Sequence, residues 1–281
     1  MSGPSVVSAP GDSLPKALAA WTLDLLQAVL IRDPLLPPFS MRRLVGQSKW
    51  ELNGDDFKKH GCHFVEKLVQ DAGLESASRV LDLGCGCGRL AVPLTKVIGP
   101  SGGYVGLESI EPLVRWCRRS ITSRFPHFQF IQAEVQNAVY NRRGKLQAET
   151  FRFPFEAGEF DLVAALSIFT HLLPRAAENY AAESARVLKR GGRLFATFYL
   201  IEEQTRSVHS SLDFSHELQP GVLTIDPALP ERAVAHRTDW LLQVFQRHGL
   251  GLVPPVRGGG WTGRQPAYSW WQDVLILEKQ R

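Results

Sequence analysis

Val80–Gly88, VLDLGCGCG, is a short apolar run that passes through an acid into three glycines at alternate positions. The run reads as a strand, Arg79–Leu83. The glycines read as a tight turn, and Arg89–Ile98 as the helix that follows. A glycine turn lets the backbone approach a ligand with no Cβ in the way. The first turn of a helix offers free N–H groups and the positive end of its dipole. Open α/β sheets bind ligands beyond the carboxyl ends of their strands. A nucleotide-like ligand therefore belongs over this turn.

Downstream, strand and helix patterns alternate. Tyr104–Leu107, Phe128–Ala133, Phe160–Leu166 and Arg193–Leu200 read as strands, with a turn at Gly191–Gly192. Pro112–Arg124 and Pro174–Leu188 read as helices between them. This alternation implies a parallel sheet covered by helices on both faces. After a helix at Asp239–His248, Gly251–Val256 and Trp270–Leu277 read as two strands with no helix between them. Such a pair is expected to be antiparallel. Upstream, residues 1–14 are rich in Ser, Pro and Gly and are expected to be disordered. Residues 15–54 read as a helical extension, with a helix at Pro15–Ile31 ended by the Pro34–Pro38 stretch. Asp55–Gln70 carries apolar residues at helical period, with Gly73 as its stop. The main domain is then 55–281.

Composition narrows the class. The chain has 281 residues, 44% of them apolar, and a net charge of +4. The densest basic cluster, Arg115, Arg118 and Arg119, reads as one solvated helix face, so no nucleic-acid partner is expected. The N-terminus lacks the basic segment of a signal peptide, and Ala17–Ile31 is too short to span a membrane. A cytoplasmic setting is expected, in keeping with four cysteines that show no disulfide spacing. Cys85 and Cys87 supply only two ligands, and no metal is expected.

Two cofactor classes compete for the turn. The dinucleotide pattern is G-x-G-x-x-G; here Arg89 stands where its third glycine belongs. Asp82 would repel a pyrophosphate and suits a cationic amino group. Glu108, at the end of the second strand, suits two ribose hydroxyls of either cofactor. Glu134 follows the third strand and would border a base. Ser167–Ile168–Phe169–Thr170–His171 leaves the strand beside the first. His171 is either a general base or a helix-entry histidine bonded to nearby backbone.

In this order VLDLGCGCGRLAVPL, YVGLES, FRFPFEAGEFDLV, SIFTHL and RVLKRGGRLFATFY resemble the motifs of the class I S-adenosylmethionine (SAM)-dependent methyltransferases, over roughly residues 60–200. The resemblance implies an α/β, Rossmann-like, seven-stranded and mostly parallel sheet with helices on both faces and the last strand antiparallel. It implies SAM as cofactor. Asp82, Gly84, Cys85, Gly86 and Gly88 would line its methionine end, with Leu166–Ile168, including Ser167, beside them. Glu108 and Ser109 would take the ribose, and Glu134 and Val135 the adenine edge. The segment Gln136–Thr150 is longer than the family pattern, which leaves the adenine assignment open.

The implied reaction is methyl transfer to an O or N atom of a small molecule or saccharide. A non-catalytic SAM-binding protein and a protein acceptor are the alternatives. An NAD-linked oxidoreductase is opposed by Arg89 and by the lack of a Tyr-x-x-x-Lys pair. Base methylation is opposed by the absence of an Asn/Asp-Pro-Pro-aromatic segment and of any cysteine after Cys117. The acceptor pocket is expected from the N-terminal region and from segments 136–155, 200–235 and 257–271. Trp50, Tyr140, Phe169, Tyr199 and Trp270 are aromatic candidates. The Gly258–Gly260 run suggests a mobile binding loop, with Trp261, Arg264 and Tyr268 as acceptor contacts.

Overall fold

The computed structural model describes residues 13–46, 50–202, 212–268 and 270–280. The expectation of disorder at the N-terminus falls, apart from Ser13 and Leu14, outside the described residues. So does 203–211 of the segment 200–235.

In chain order the elements are α1 (Leu14–Leu30), α2 (Phe39–Leu44), α3 (Asp55–Ala72), β1 (Arg79–Leu83), α4 (Ala91–Leu94), β2 (Gly103–Glu108), α5 (Glu111–Cys117), β3 (Phe128–Gln132), β4 (Phe160–Ala165), α6 (Pro174–Val187) and β5 (Leu188–Phe198). Then come β6 (Leu200–Ile201), β7 (His216–Gln219), β8 (Val222–Thr224), β9 (Val234–Arg237), α7 (Thr238–Arg247), β10 (Leu250–Leu252) and β11 (Asp273–Lys279).

Seven strands form one sheet in the order β10-β11-β5-β4-β1-β2-β3. β11 is antiparallel to both neighbours, and the other pairings are parallel. This is the α/β sheet expected from the sequence, with its last strand reversed. The chain runs outward from β1 to β3, then crosses to β4 on the other side. β1 is therefore the switch point, where a crevice opens beyond the strand ends.

Strand alternation sends side chains to two cores. Leu81, Leu83, Val163 and Leu194 pack with Ala177 and Ala181 of α6 and Phe245 of α7. Val80, Leu162 and Phe195 pack with Phe64, Val65 and Leu68 of α3. Both faces are dry, which is why these strands read as continuous apolar runs.

Three features depart from the sequence reading. The helix after the glycine turn is short, Ala91–Leu94, with further turns to Ile98. A six-residue helix, α2, follows the proline stretch. Segment 200–235 contributes to a second sheet, β6-β9-β8-β7. Its strands are two to four residues long, too short for a period to show.

α2 is held by a buried arginine. Arg42 is fully buried. Its Nε donates to Pro37 O (3.1 Å), and Nη2 donates to Gln27 Oε1 (2.9 Å), Glu51 O (3.0 Å) and Leu52 O (3.1 Å). A buried charge persists only with such partners. Ser40 Oγ also donates to Asp24 Oδ2 of α1 at 2.6 Å. These bonds carry the residues after α2 to the carboxyl end of the sheet.

Candidate cofactor and acceptor site

At the end of β1 the chain turns across β2. Gly84 N and Cys85 N both donate to Leu107 O, at 2.8 and 3.2 Å. Gly84 has φ +67° and Gly86 φ +57°. A Cβ on Gly84 would lie 2.2 Å from Ile168 Cδ1, and one on Gly86 2.3 Å from Val45 Cγ1. Only glycine fits both the backbone and the space.

Glu108 joins this turn to the exit of β2. Its Oε2 accepts from Gly86 N at 2.9 Å. Its Oε1 accepts from Ser109 N (2.7 Å), Ile110 N (2.9 Å) and Ser109 Oγ (3.3 Å). Burial raises its pKa, and the three backbone donors oppose that rise. Oε2 carries one bond and keeps acceptor capacity on the open side.

A cavity of about 680 Å³ lies over these strand ends, within the size range of small-molecule sites. One wall comes from the sheet: Gly84, Gly86, Arg89, Glu108, Ser109, Val135, Leu166, Ser167 and Ile168. The other comes from Leu44–Gly46, from residues 136–138, 140 and 147–149, and from His171, Tyr180, 228–231 and Gln272.

Ser167 has φ +59°, the left-handed region that a side chain enters at a cost. A small network holds it there. Ser167 N donates to Thr197 Oγ1 (2.7 Å), Ser167 Oγ donates to Gln272 Oε1 (2.9 Å), and Thr197 Oγ1 donates to the same oxygen (2.6 Å).

His171 faces the cavity from the turn after β4. Its Nδ1 lies 2.9 Å from Glu231 O, and its Nε2 lies 3.3 Å from Tyr140 Oη. A carbonyl only accepts, so Nδ1 carries the proton and Nε2 presents a lone pair. Burial lowers the pKa of His171 below its usual value, favouring this neutral form. The Glu231 carboxylate in turn accepts from Ala138 N. One residue thereby links the histidine to the 136–140 segment.

Several expected contacts lie elsewhere. Asp82 is behind the turn, where its Oδ2 accepts from Tyr104 Oη at 2.6 Å. Burial pushes its pKa up to about 7, against the Tyr104 bond that pulls it down. Cys85 is buried against Gly106, and Gly88 against Ile121 and Cys117. None of the three lines the cavity. Glu134 turns out to Lys145, 3.0 Å away, and leaves the wall to Ala133 and Val135.

Trp261, Arg264 and Tyr268, expected as acceptor contacts, are not among the residues that line the cavity. Trp261 is buried against Tyr199 and Phe214, and its Nε1 donates to Asp273 Oδ2 at 2.6 Å. Tyr268 Oη donates to Asp71 Oδ2 at 2.7 Å, on α3. Arg264 is exposed and off the cavity. A Cβ on Gly259 would lie 2.3 Å from the backbone of Gln272, so this glycine serves close packing onto the approach to β11. Among the other aromatic candidates, Tyr140 reaches the cavity; Trp50, Phe169, Tyr199 and Trp270 do not. Leu44–Gly46, Glu231 and Gln272 were not singled out, since no spacing ties them to the glycine turn.

Among the described residues, no group of three His, Cys, Asp or Glu is placed to hold a metal, and no helix is long and apolar enough to cross a membrane.

Comparison with known proteins agrees with this geometry. Residues 80–192 match the model of a methyltransferase domain. The chain is 30% identical to the demethylmenaquinone methyltransferase of Lactiplantibacillus plantarum over 132 residues, 47% of this chain and 49% of that protein. It is 27% identical to the ubiquinone/menaquinone biosynthesis C-methyltransferase of Pseudomonas entomophila over 147 residues, half of each chain. The chain thus spans about half the length of the curated relatives it matches. Among solved structures, a Pyrococcus horikoshii protein matches with TM-score 0.55 at 16% identity, covering 81% of this chain and 93% of that one. A SAM-dependent methyltransferase from Methanosarcina mazei matches with TM-score 0.51 at 17% identity, covering 76% and 97%. The motif order, the sheet order and the methyltransferase-domain match over residues 80–192 agree with the resemblance to the class I SAM-dependent methyltransferases.

Proposed function

We propose that the chain binds SAM over Gly84 and Gly86 and transfers its methyl group to a hydroxyl oxygen of a small molecule. The residues fit the cofactor. Glu108 offers acceptor capacity to ribose hydroxyls and would repel a pyrophosphate. The cramped glycine turn leaves backbone, not side chains, beside the ligand. When bound, SAM supplies an electrophilic methyl group on a sulfonium.

The observation that carries the acceptor reading is the His171 Nε2 lone pair, turned toward Tyr140 and the cavity with Nδ1 fixed on Glu231 O. A hydroxyl acceptor must lose its proton as its oxygen bonds to the methyl carbon. His171 Nε2 takes that proton, and Tyr140 marks the position the hydroxyl occupies. The walls from α2, segment 136–149 and segment 228–231 exclude water and orient the acceptor. A saccharide or other polyol and a phenol are both within this chemistry.

A second reading follows from the relatives' names. Deprotonating a ring hydroxyl also activates the neighbouring ring carbon, so the same histidine suits C-methylation of a hydroxylated ring.

The test uses SAM with a ¹³C-labelled methyl group and a panel of phenols, hydroquinones, amines and polyols. The methyl resonance of the product separates O-, N- and C-methylation. An O-methyl product is expected. A C-methyl product establishes the second reading. SAM binding with no transfer to any acceptor establishes a non-catalytic binding protein, and NAD binding in place of SAM overturns the donor assignment.

A further inference from the structure

The polar side chains of α1 point into the protein, and its apolar ones point out. Asp24 accepts from Ser40 N (3.0 Å) and from Ser40 Oγ (2.6 Å). Gln27 Nε2 donates to Pro37 O at 3.0 Å, and Gln27 Oε1 accepts from buried Arg42. On the other side Leu14, Leu18, Trp21, Leu25 and Val29 recur at helical period, exposed by 38% (Trp21) to 76% (Val29). Residues at this spacing form one stripe along a helix. Elsewhere among the described residues, large apolar side chains are exposed singly, which is ordinary for a protein surface. A continuous apolar stripe marks a contact face. The hydroxyl beside it, Thr22 Oγ1, donates to Leu18 O at 3.0 Å. The stripe can therefore enter an apolar medium without stranding a polar group.

We propose that α1 seats the protein on an anionic lipid bilayer, lying along the surface rather than crossing it. α1 has 17 residues, against about 20 needed to span. Charge selects the occupant. The exposed charges on α1 and at its exit are Lys16 and Arg32. The acids are engaged: Asp24 turns inward to Ser40, and Asp33 pairs with Lys58 at 2.8 Å. Cations at both ends of an apolar helix match a layer of negatively charged headgroups. A second copy of α1 packed on the stripe would set cation against cation in either orientation, with no exposed acid on α1 to answer them. Trp21, midway between the two cations, suits the boundary between headgroups and acyl chains. The net charge of +4 acts in the same sense. α1 also holds α2 through Ser40 and Arg42, and Leu44–Gly46 at the end of α2 line the cavity. The seat is therefore one helix away from the site.

The test is co-sedimentation of the full chain with vesicles of phosphatidylcholine alone and of phosphatidylcholine with phosphatidylglycerol. Binding to the anionic vesicles is expected to be about tenfold tighter or more, and to weaken as salt is raised. Leu18→Glu combined with Leu25→Glu, both on the exposed stripe, is expected to weaken it by more than about tenfold with the melting temperature held. The comparison of the two vesicles needs no variant to fold. Absence of binding to anionic vesicles overturns the proposal. So does equal binding to both kinds, or binding that the paired substitution leaves intact. A lipid-free dimer, seen by light scattering and dissociated by the same substitutions, assigns the stripe to a second copy and overturns the proposal as well.

Discussion

On one side of the cavity, Gly84, Gly86, Glu108 and Ser167 sit at or just beyond the ends of β1, β2 and β4, paired strands of one sheet. On the other, Val45, Tyr140 and Glu231 arrive from three segments far apart in sequence. Side-chain hydrogen bonds tie them to the wall and to one another: Arg89 to Val45, His171 to both Tyr140 and Glu231, and Ala138 to Glu231. Strand pairing sets the positions of the first group to within the register of the sheet. The second group depends on individual side chains, each of which is replaceable. The donor half is therefore expected to be rigid and intolerant of change, and the acceptor half to be adjustable.

The sharpest way to break this contrast is Gly86→Val. It places a β-branched residue at φ +57° and a Cβ against Val45. Left-handed strain and overpacking together cost about 2–5 kcal/mol. Loss of SAM binding by more than about 30-fold is expected; affinity within threefold of wild type would refute the rigid donor half.

His171→Ala tests the other side. It is expected to lower kcat by about 100-fold or more while SAM affinity stays within about twofold of wild type. The pKa of His171 is lowered by burial, so Nε2 stays unprotonated as pH falls through 6.5. The wild-type rate is then level from neutral pH to below that point, and drops only as pH passes the lowered value. An unchanged rate in the variant removes the base.

Two buried acids separate the cavity wall from the core behind it. Glu108→Gln is expected to weaken SAM by about tenfold, and Asp82→Asn by less than about threefold. Asp82→Asn has a different signature. The folded pKa of Asp82 is raised to about 7, so the native state keeps a proton that the unfolded chain has released above about pH 4. Stability contributed by this group therefore falls as pH rises from about 4 to 7. Asparagine removes that loss, and the melting temperature of the variant at pH 8 is expected to exceed that of wild type. A lower melting temperature would show that the charged form is the one the core stabilises.

The smallest effect is expected from Arg264→Ala, with acceptor KM within about twofold of wild type, as for an exposed residue away from the site. A large rise in KM would return segment 257–271 to the acceptor pocket.

Much of the fold was legible from Val80–Gly88 outward because the signals are local. Apolar runs, glycine turns and helix stops each concern a few neighbouring residues. The missed sheet, β6-β9-β8-β7, has strands too short to show a period. Trp261 and Arg264 beside three glycines looked like a binding loop. The packing of Trp261 on Asp273 and Tyr199 depends on segments outside that loop. Glu134 was placed correctly after β3, but its side chain is set by Lys145, eleven positions away, in a segment with no recognisable pattern.

By itself the sequence determined the sheet, the glycine turn and the acid at the end of β2, because backbone conformation and strand-end position are short-range properties. The tertiary structure alone decided which side chains face the cavity. Asp82 follows Leu81 and precedes Leu83 on a strand buried on both faces, so no alternation revealed that it points behind the turn to Tyr104. The glycine turn thus marks the donor wall from sequence. The wall proposed for the acceptor depends on long-range hydrogen bonds that bring Val45, Tyr140, His171 and Glu231 to one cavity.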